Sequence, residues 1–253
     1  MMSVKSEVTQ EKKESSAFDL AVVLLQAVAI AIVIRIFLFQ PFNIPSGSME
    51  NTLLVGDYLF VSKFSYGYTH YSLPFSPPIF SGRIWSSNPQ RGDIVVFRLP
   101  KDDSIDYIKR VVGLPGDRIQ VINGLLHING EPVKRERIED VVETNEFGRS
   151  EQVKRWRETL PNGVTYVTLE RAIQHLENTP VFEVPPDHFF MMGDNRDNSS
   201  DSRDPSSGVG YVPLENIIGR AQIIFFSIQG EHAWAVWTWP WNVRWGRLFR
   251  LVR

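Results

Sequence analysis

The sequence predicts a mainly β protein: an antiparallel β-sheet or partly closed barrel core with an inserted β-rich subdomain, preceded by one N-terminal transmembrane helix. Three observations carry that prediction. An apolar run, Leu20–Ile34, is interrupted only by Gln26. Behind it, helix signals nearly vanish and short runs of β-branched and aromatic residues alternate with Gly, Pro and Asn-Gly turns. Between about residues 131 and 163 the composition shifts to dense charge, at Lys134–Arg137 and Arg149–Glu158, so residues 121–185 read as an insertion into one core.

From the N-terminus, residues 1–17 are polar and read as a disordered tail. Residues 18–39 read as the anchor, because about 20 helical residues cross the ~30 Å of a bilayer's hydrocarbon core. Arg35 stands one turn from the end, where its long side chain reaches the headgroups. A run apolar on every face disfavours a buried core helix. A cleaved signal peptide stays open, although no small-residue cleavage site follows the run. Lys5, Lys12 and Lys13 precede it and no Lys or Arg occurs from Gln40 to Ser62. The positive-inside rule then leaves the N-terminus cytoplasmic and exports the remainder.

Residues 40–120 and 186–253 read as the β core. The strand-like runs are Tyr58–Val61, Ile94–Arg98, Tyr107–Val112, Arg118–Ile122, Leu125–Ile128, Val164–Leu169, Val181–Val184, His188–Met192 and Gln222–Ser227. Asn123-Gly124 is a two-residue hairpin signal and Asn129-Gly130 a second turn. One soluble helix is expected near Leu169–Glu177. At the C-terminus Trp234, Trp237, Trp239, Trp241 and Trp245 alternate with Arg244, Arg247, Arg250 and Arg253. That pattern fits a surface lying at headgroups or a packed aromatic strand equally well.

Bulk composition excludes several classes. The net charge of −2 gives no basic field for nucleic acid, and the absence of cysteine removes disulfides, thiolate metal sites and a thiol nucleophile. The five histidines are scattered without a metal-ligand spacing, so neither a metal nor a cofactor is expected.

Three segments could carry chemistry. In Pro41-Phe42-Asn43-Ile44-Pro45-Ser46-Gly47-Ser48-Met49 the prolines force an extended backbone, and Gly47 permits a turn that presents Ser48 beside backbone N–H groups. A plain linker is the bland alternative, weakened by Phe42, Ile44 and Met49. In Asp106-Tyr107-Ile108-Lys109-Arg110-Val111-Val112, strand alternation sets Lys109 between Tyr107 and Val111. Burial there would lower its pKa enough to accept a serine proton; a solvated strand lysine is the alternative. The loop Gly193–Asp204 lacks the Gly and Glu of a calcium loop. It reads either as a self-bonded turn or as a polar cradle that orients a lysine through a serine hydroxyl and pairs Asp201 with Arg203.

Together with Arg91-Gly92-Asp93-Ile94-Val95-Val96-Phe97 and the continuation Gly113-Leu114-Pro115-Gly116-Asp117, these segments resemble the bacterial type I signal peptidases (leader peptidases), in family order and spacing from the anchor to about Ala221. The resemblance implies a serine endopeptidase with Ser48 as nucleophile and Lys109 as neutral general base. It implies that Ser199 orients the lysine, that Ser46 and the Ser48 N–H bind the oxyanion, and that Asp201–Arg203 and Asp194–Arg110 are supporting ion pairs. Phe42, Ile44, Pro45, Met49, Leu53, Tyr107 and Ile108 would wall shallow pockets for small side chains, so cleavage would follow Ala-x-Ala-like ends of signal peptides. The implied partners are signal peptides of exported preproteins, the lipid bilayer and, by proximity, the secretion translocon. The implied place is the bacterial inner (cytoplasmic) membrane, single-pass, with the catalytic domain on the periplasmic or outer side. A second transmembrane helix, frequent in the family, is not visible here. Alternatives are a self-cleaving repressor-type Ser–Lys peptidase, which would be soluble, and a membrane-tethered β-domain without catalysis. Penicillin-binding chemistry is disfavoured because no lysine stands three residues after a serine.

Overall fold

The computed structural model describes residues 3–144, 150–171, 176–230 and 236–253. Helix α1 runs from Ser3 to Phe37, and its apolar part, Ala17–Phe37, is 21 residues long with a mean hydropathy of 2.7. None of that part is buried against the β structure, and about 1.5 Å per residue makes it long enough to cross a bilayer. Residues 3–17, expected to be disordered, continue the same helix. Once a helix is nucleated, each added residue gains a hydrogen bond at little further cost, and the Lys, Glu and Gln of this stretch are good helix formers.

Strand β1 (Phe39–Asn43) follows after one residue, and Pro41 and Pro45 prevent any return to helix. The other strands are β2 (Asp57–Ser62), β3 (Ile94–Leu99), β4 (Asp102–Gly113), β5 (Arg118–Ile122), β6 (Leu125–Ile128), β7 (Glu131–Pro132), β8 (Lys134–Thr144), β9 (Ser150–Thr159), β10 (Thr165–Glu170), β11 (Phe182–Glu183), β12 (His188–Met192), β13 (Val212–Pro213), β14 (Ile217–Ser227) and β15 (Arg250–Leu251). Every strand pairing is antiparallel. The largest sheet runs β1-β2-β14-β3-β4-β12-β13, with β15 added to β14, and stays open between β1 and β13.

Strand β3 lies at its centre. Ile94 and Val96 enter one apolar cluster with Ile44, Met49, Leu59 and Val61, while Val95 and Phe97 enter another with Val111, Phe189 and Met191. A strand buried on both faces reads as a continuous apolar run, which is why residues 94–97 lack alternation.

The chain between β4 and β12 forms two smaller sheets, β11-β5-β6-β7 and β10-β9-β8. Ile122 pairs with Leu125 across Asn123 (φ 49°) and Gly124 (φ 74°), the doubly left-handed turn that Asn-Gly adopts readily. Asn129 and Gly130 repeat the device between β6 and β7. Strands β8 and β9 carry no alternating apolar signal, because much of their surface holds charges. Glu136 meets Arg157, and Arg135 pairs with Glu170 of the neighbouring β10. Leu169 and Glu170 end β10 rather than opening the expected helix, since they complete its ladder with Arg155 and Lys154; residues 172–175 lie outside the described residues.

The C-terminal segment is not a packed aromatic strand. It forms short turns around α2 (Trp239–Asn242) and leaves Trp237, Trp241 and Trp245 largely exposed, while Trp234 lies outside the described residues. Arg247 is turned inward instead, onto the buried Asp57.

Candidate active site

Ser48 sits in a single 3-10 turn, Gly47–Met49, entered from Ser46 in extended conformation. Its side chain is almost wholly covered and its Oγ lies 2.6 Å from Lys109 Nζ. Lys109 projects from β4 as alternation predicts, with 2% of its surface exposed, its Nζ also donating to the Ile108 carbonyl at 3.1 Å. Its pKa falls from the ordinary 10.5 to about 8, chiefly because burial penalises the ammonium. The carboxylates of Asp201 and Asp194 oppose that fall and the Arg203 guanidinium adds to it.

The loop after β12 supplies the rest. Asp194 receives two hydrogen bonds from Arg110, at 2.8 and 2.7 Å, and both side chains are buried. Asp201 is held by Arg203 in the same two-pronged way, at 2.9 Å twice, and accepts the Gly193 N–H at 3.0 Å. Asn195 ties the loop to the serine turn: its N–H donates to the Ser48 carbonyl at 3.1 Å and its amide to the Gly47 carbonyl at 3.0 Å. Ser46 Oγ stands 3.5 Å from Ser48 Oγ.

Above these groups lies an open groove of about 470 Å³, lined by Phe42, Ile44, Pro45, Tyr107 and Ile108 from the sequence expectation. Two strand edges border it. Among the described residues strand β1 pairs only with β2, and β4 pairs with β12 only from Arg110 to Gly113, so its residues 105–109 have no strand on that side. An extended chain laid in the groove could bond to either edge.

Three expected residues behave otherwise. Met49 and Leu53 do not wall the groove; both are fully buried in the cluster of Ile44, Leu59 and Val61 beneath it, because the turn and the segment after it direct them into the sheet. Ser199 makes no hydrogen bond to Lys109. Its buried Oγ packs over the bare backbone of Gly193, where a Cβ would stand only 2.2 Å away, and it has no hydrogen-bond partner among the described residues. Conversely, Val96, Ile105, Asp106, Asn198 and Ser200 line the groove without having been singled out. Val96 was findable, since it lies directly opposite Ile108 in the ladder, whereas Asn198 and Ser200 depend on how a loop folds over. Among the described residues no three His, Asp or Glu side chains converge as a metal site would require.

Residues 17–226 match the family model of signal peptidase, peptidase S26. The chain is 46% identical over 211 residues to a signal peptidase I of Rickettsia conorii, covering 79% of this chain and 76% of that protein. With the Rickettsia akari signal peptidase I it shares 43% identity over 244 residues, 88% of each chain. A solved signal peptidase I from Enterococcus faecalis is 26% identical, with a TM-score of 0.31, covering 53% of this chain and 97% of that one. The chain therefore belongs to the signal peptidases of the S26 family and is a serine peptidase.

Proposed function

We propose that the protein removes N-terminal signal peptides from exported preproteins, cutting after Ala-x-Ala-like sites through a Ser48–Lys109 dyad. The observation that carries the reading is the 2.6 Å approach of a buried, pKa-lowered lysine to a serine at the floor of an open groove. Neutral Lys109 accepts the Ser48 hydroxyl proton as Oγ attacks the scissile carbonyl carbon. The Ser46 hydroxyl and the Ser48 N–H receive the oxyanion. Collapse breaks the peptide bond, and the departing amine of the mature protein takes the proton from the Lys109 ammonium. Lys109 then deprotonates a water that hydrolyses the acyl-serine and restores the enzyme. Arg110–Asp194 and Asp201–Arg203 hold the loop beside the dyad. The packing of Ser199 over Gly193 gives it a positioning role through the backbone.

The substrate lies extended between the edges of β1 and β4. Phe42, Ile44, Tyr107 and Ile108, which line the groove, would wall the shallow pockets that take small side chains near the scissile bond. Helix α1 anchors the chain by a single pass in the bacterial inner membrane, with its N-terminus cytoplasmic and the β domain on the outer side, near the emerging preprotein. A band of aromatic rings supports a bilayer-facing surface. Phe39 meets Phe60, which stacks on Phe225 at 4.3 Å, and Tyr58 and Phe226 carry the band on to Trp239.

The test is cleavage of a detergent-solubilised preprotein carrying an Ala-x-Ala site. Parent protein yields product cut after the last Ala, whereas Ser48→Ala and Lys109→Met each lose at least about 10³-fold in rate with the fold intact. Product at the parent rate from either variant overturns the dyad.

A further inference from the structure

A second buried lysine lies outside the dyad. Lys63, just after β2, is 2% exposed, and its Nζ donates to a single backbone carbonyl, that of Ser72, at 2.6 Å. It opens onto a small recess of about 70 Å³ lined by Arg35, Gln40, Tyr71, Ser76 and Arg98. Of its three cations only Arg98 is neutralised, by Asp106 at 3.3 Å. Lys63 and Arg35 have no ion pair among the described residues. Two like charges facing one hollow disfavour each other, and a buried ammonium with one neutral acceptor is costly to leave so. Burial first, and then the neighbouring Arg35, bring the Lys63 pKa down to about 8, with Asp106 opposing. An anion in the recess would relieve both cations.

The position of the recess identifies the anion. Arg35 is in the last turn of α1, two residues before the apolar helix ends, and Gln40 follows on β1. With α1 in a bilayer, this junction stands at the level of the headgroups. Phe75, on the rim of the same recess, is fully exposed, as a ring entering the acyl region would be. Resting on the reading of α1 as a membrane anchor, we propose that the recess formed by Arg35, Lys63 and Arg98 is a binding site for the phosphodiester of an anionic phospholipid headgroup. The guanidinium and ammonium groups would hold the phosphate oxygens by charge-assisted hydrogen bonds.

The test uses the full chain and two variants, Arg35→Gln and Lys63→Met. Arg35→Gln changes an exposed side chain and guards against misfolding of the buried variant. Each protein is purified in detergent containing equal amounts of phosphatidylglycerol and phosphatidylcholine, and retained lipids are counted by native mass spectrometry. Flotation with vesicles is measured in parallel. The parent should retain one phosphatidylglycerol in roughly tenfold preference over phosphatidylcholine, and both variants should lose that preference while still floating. A large excess of inorganic phosphate should leave the bound lipid in place. Equal retention by parent and Arg35→Gln, with normal flotation, overturns the recess alone. Displacement of the lipid by inorganic phosphate overturns the headgroup as its occupant. Failure of the parent to float overturns the anchor reading and the proposal with it.

Discussion

At pH 7 an ordinary lysine is neutral in only about one molecule in several thousand, whereas one with a pKa of about 8 is neutral in roughly one in ten. The site thus raises the neutral fraction of Lys109, the proposed base, by a few hundredfold before any chemistry begins. The expected consequence is a kcat/KM that climbs about tenfold per pH unit below about 8 and levels off above it, read with a peptide substrate across that range. A profile that is flat from pH 6 to pH 9 would exclude Lys109 as the base. The same shift acts on stability. Below about pH 8 both folded and unfolded chains carry the proton, and the folded state bears the cost of a buried charge. Between about 8 and 10.5 the folded chain has released a proton that the unfolded chain still binds, so this group's contribution becomes more favourable as pH rises. Lys109→Met should therefore melt at or above the parent temperature at pH 7, with the gap narrowing toward pH 10, although it is inactive.

Among the elements, the loop from β12 to Arg203 is bonded to the serine turn through Asn195, and so would position the proposed dyad from outside its strand. Its entry depends on Gly193, because a Cβ there would stand 2.5 Å from the Ser48 carbonyl oxygen and 2.2 Å from Ser199 Oγ. Gly193→Ala forces loop and serine turn apart, and an ångström of displacement at the reacting atoms is worth about 10² in rate. That loss should appear in kcat more than in KM. Arg110 and Asp194 join β4 to this loop as a fully buried pair. Removing one partner strands a charge, so Arg110→Met should cost about 3–5 kcal/mol in urea unfolding. The double change Arg110→Met with Asp194→Leu should recover most of it. Recovery would show that the penalty comes from the orphaned carboxylate rather than from lost packing.

For the whole molecule, the exposed apolar helix and the unpaired edges of β1 and β4 fit the proposed reading of a domain held against a bilayer with its groove open to an extended chain. Protease added outside spheroplasts should digest the β domain, while a tag before Ser3 survives until the membrane is permeabilised; the reverse pattern would invert the proposed topology. Several features were legible in the sequence because they depend only on neighbours along the chain. The apolar length of α1, the hairpin turns at Asn123-Gly124 and Asn129-Gly130, and the strand face of Lys109 are of this kind. Strands β8 and β9 were not legible, since their charges find partners across a ladder rather than along the chain. Met49 and Leu53 likewise look like groove walls until the sheet closes beneath them. By itself the sequence determined the helix, most of the strands and the residue types brought to the site. Only the tertiary structure decided that Ser48 and Lys109, 61 residues apart, meet at 2.6 Å, and that Ser199 turns to Gly193 instead. The reason is physical: desolvation is what lowers the pKa of an amine, and the groups gathered around Lys109 come from a turn, a strand and a loop that no local pattern connects.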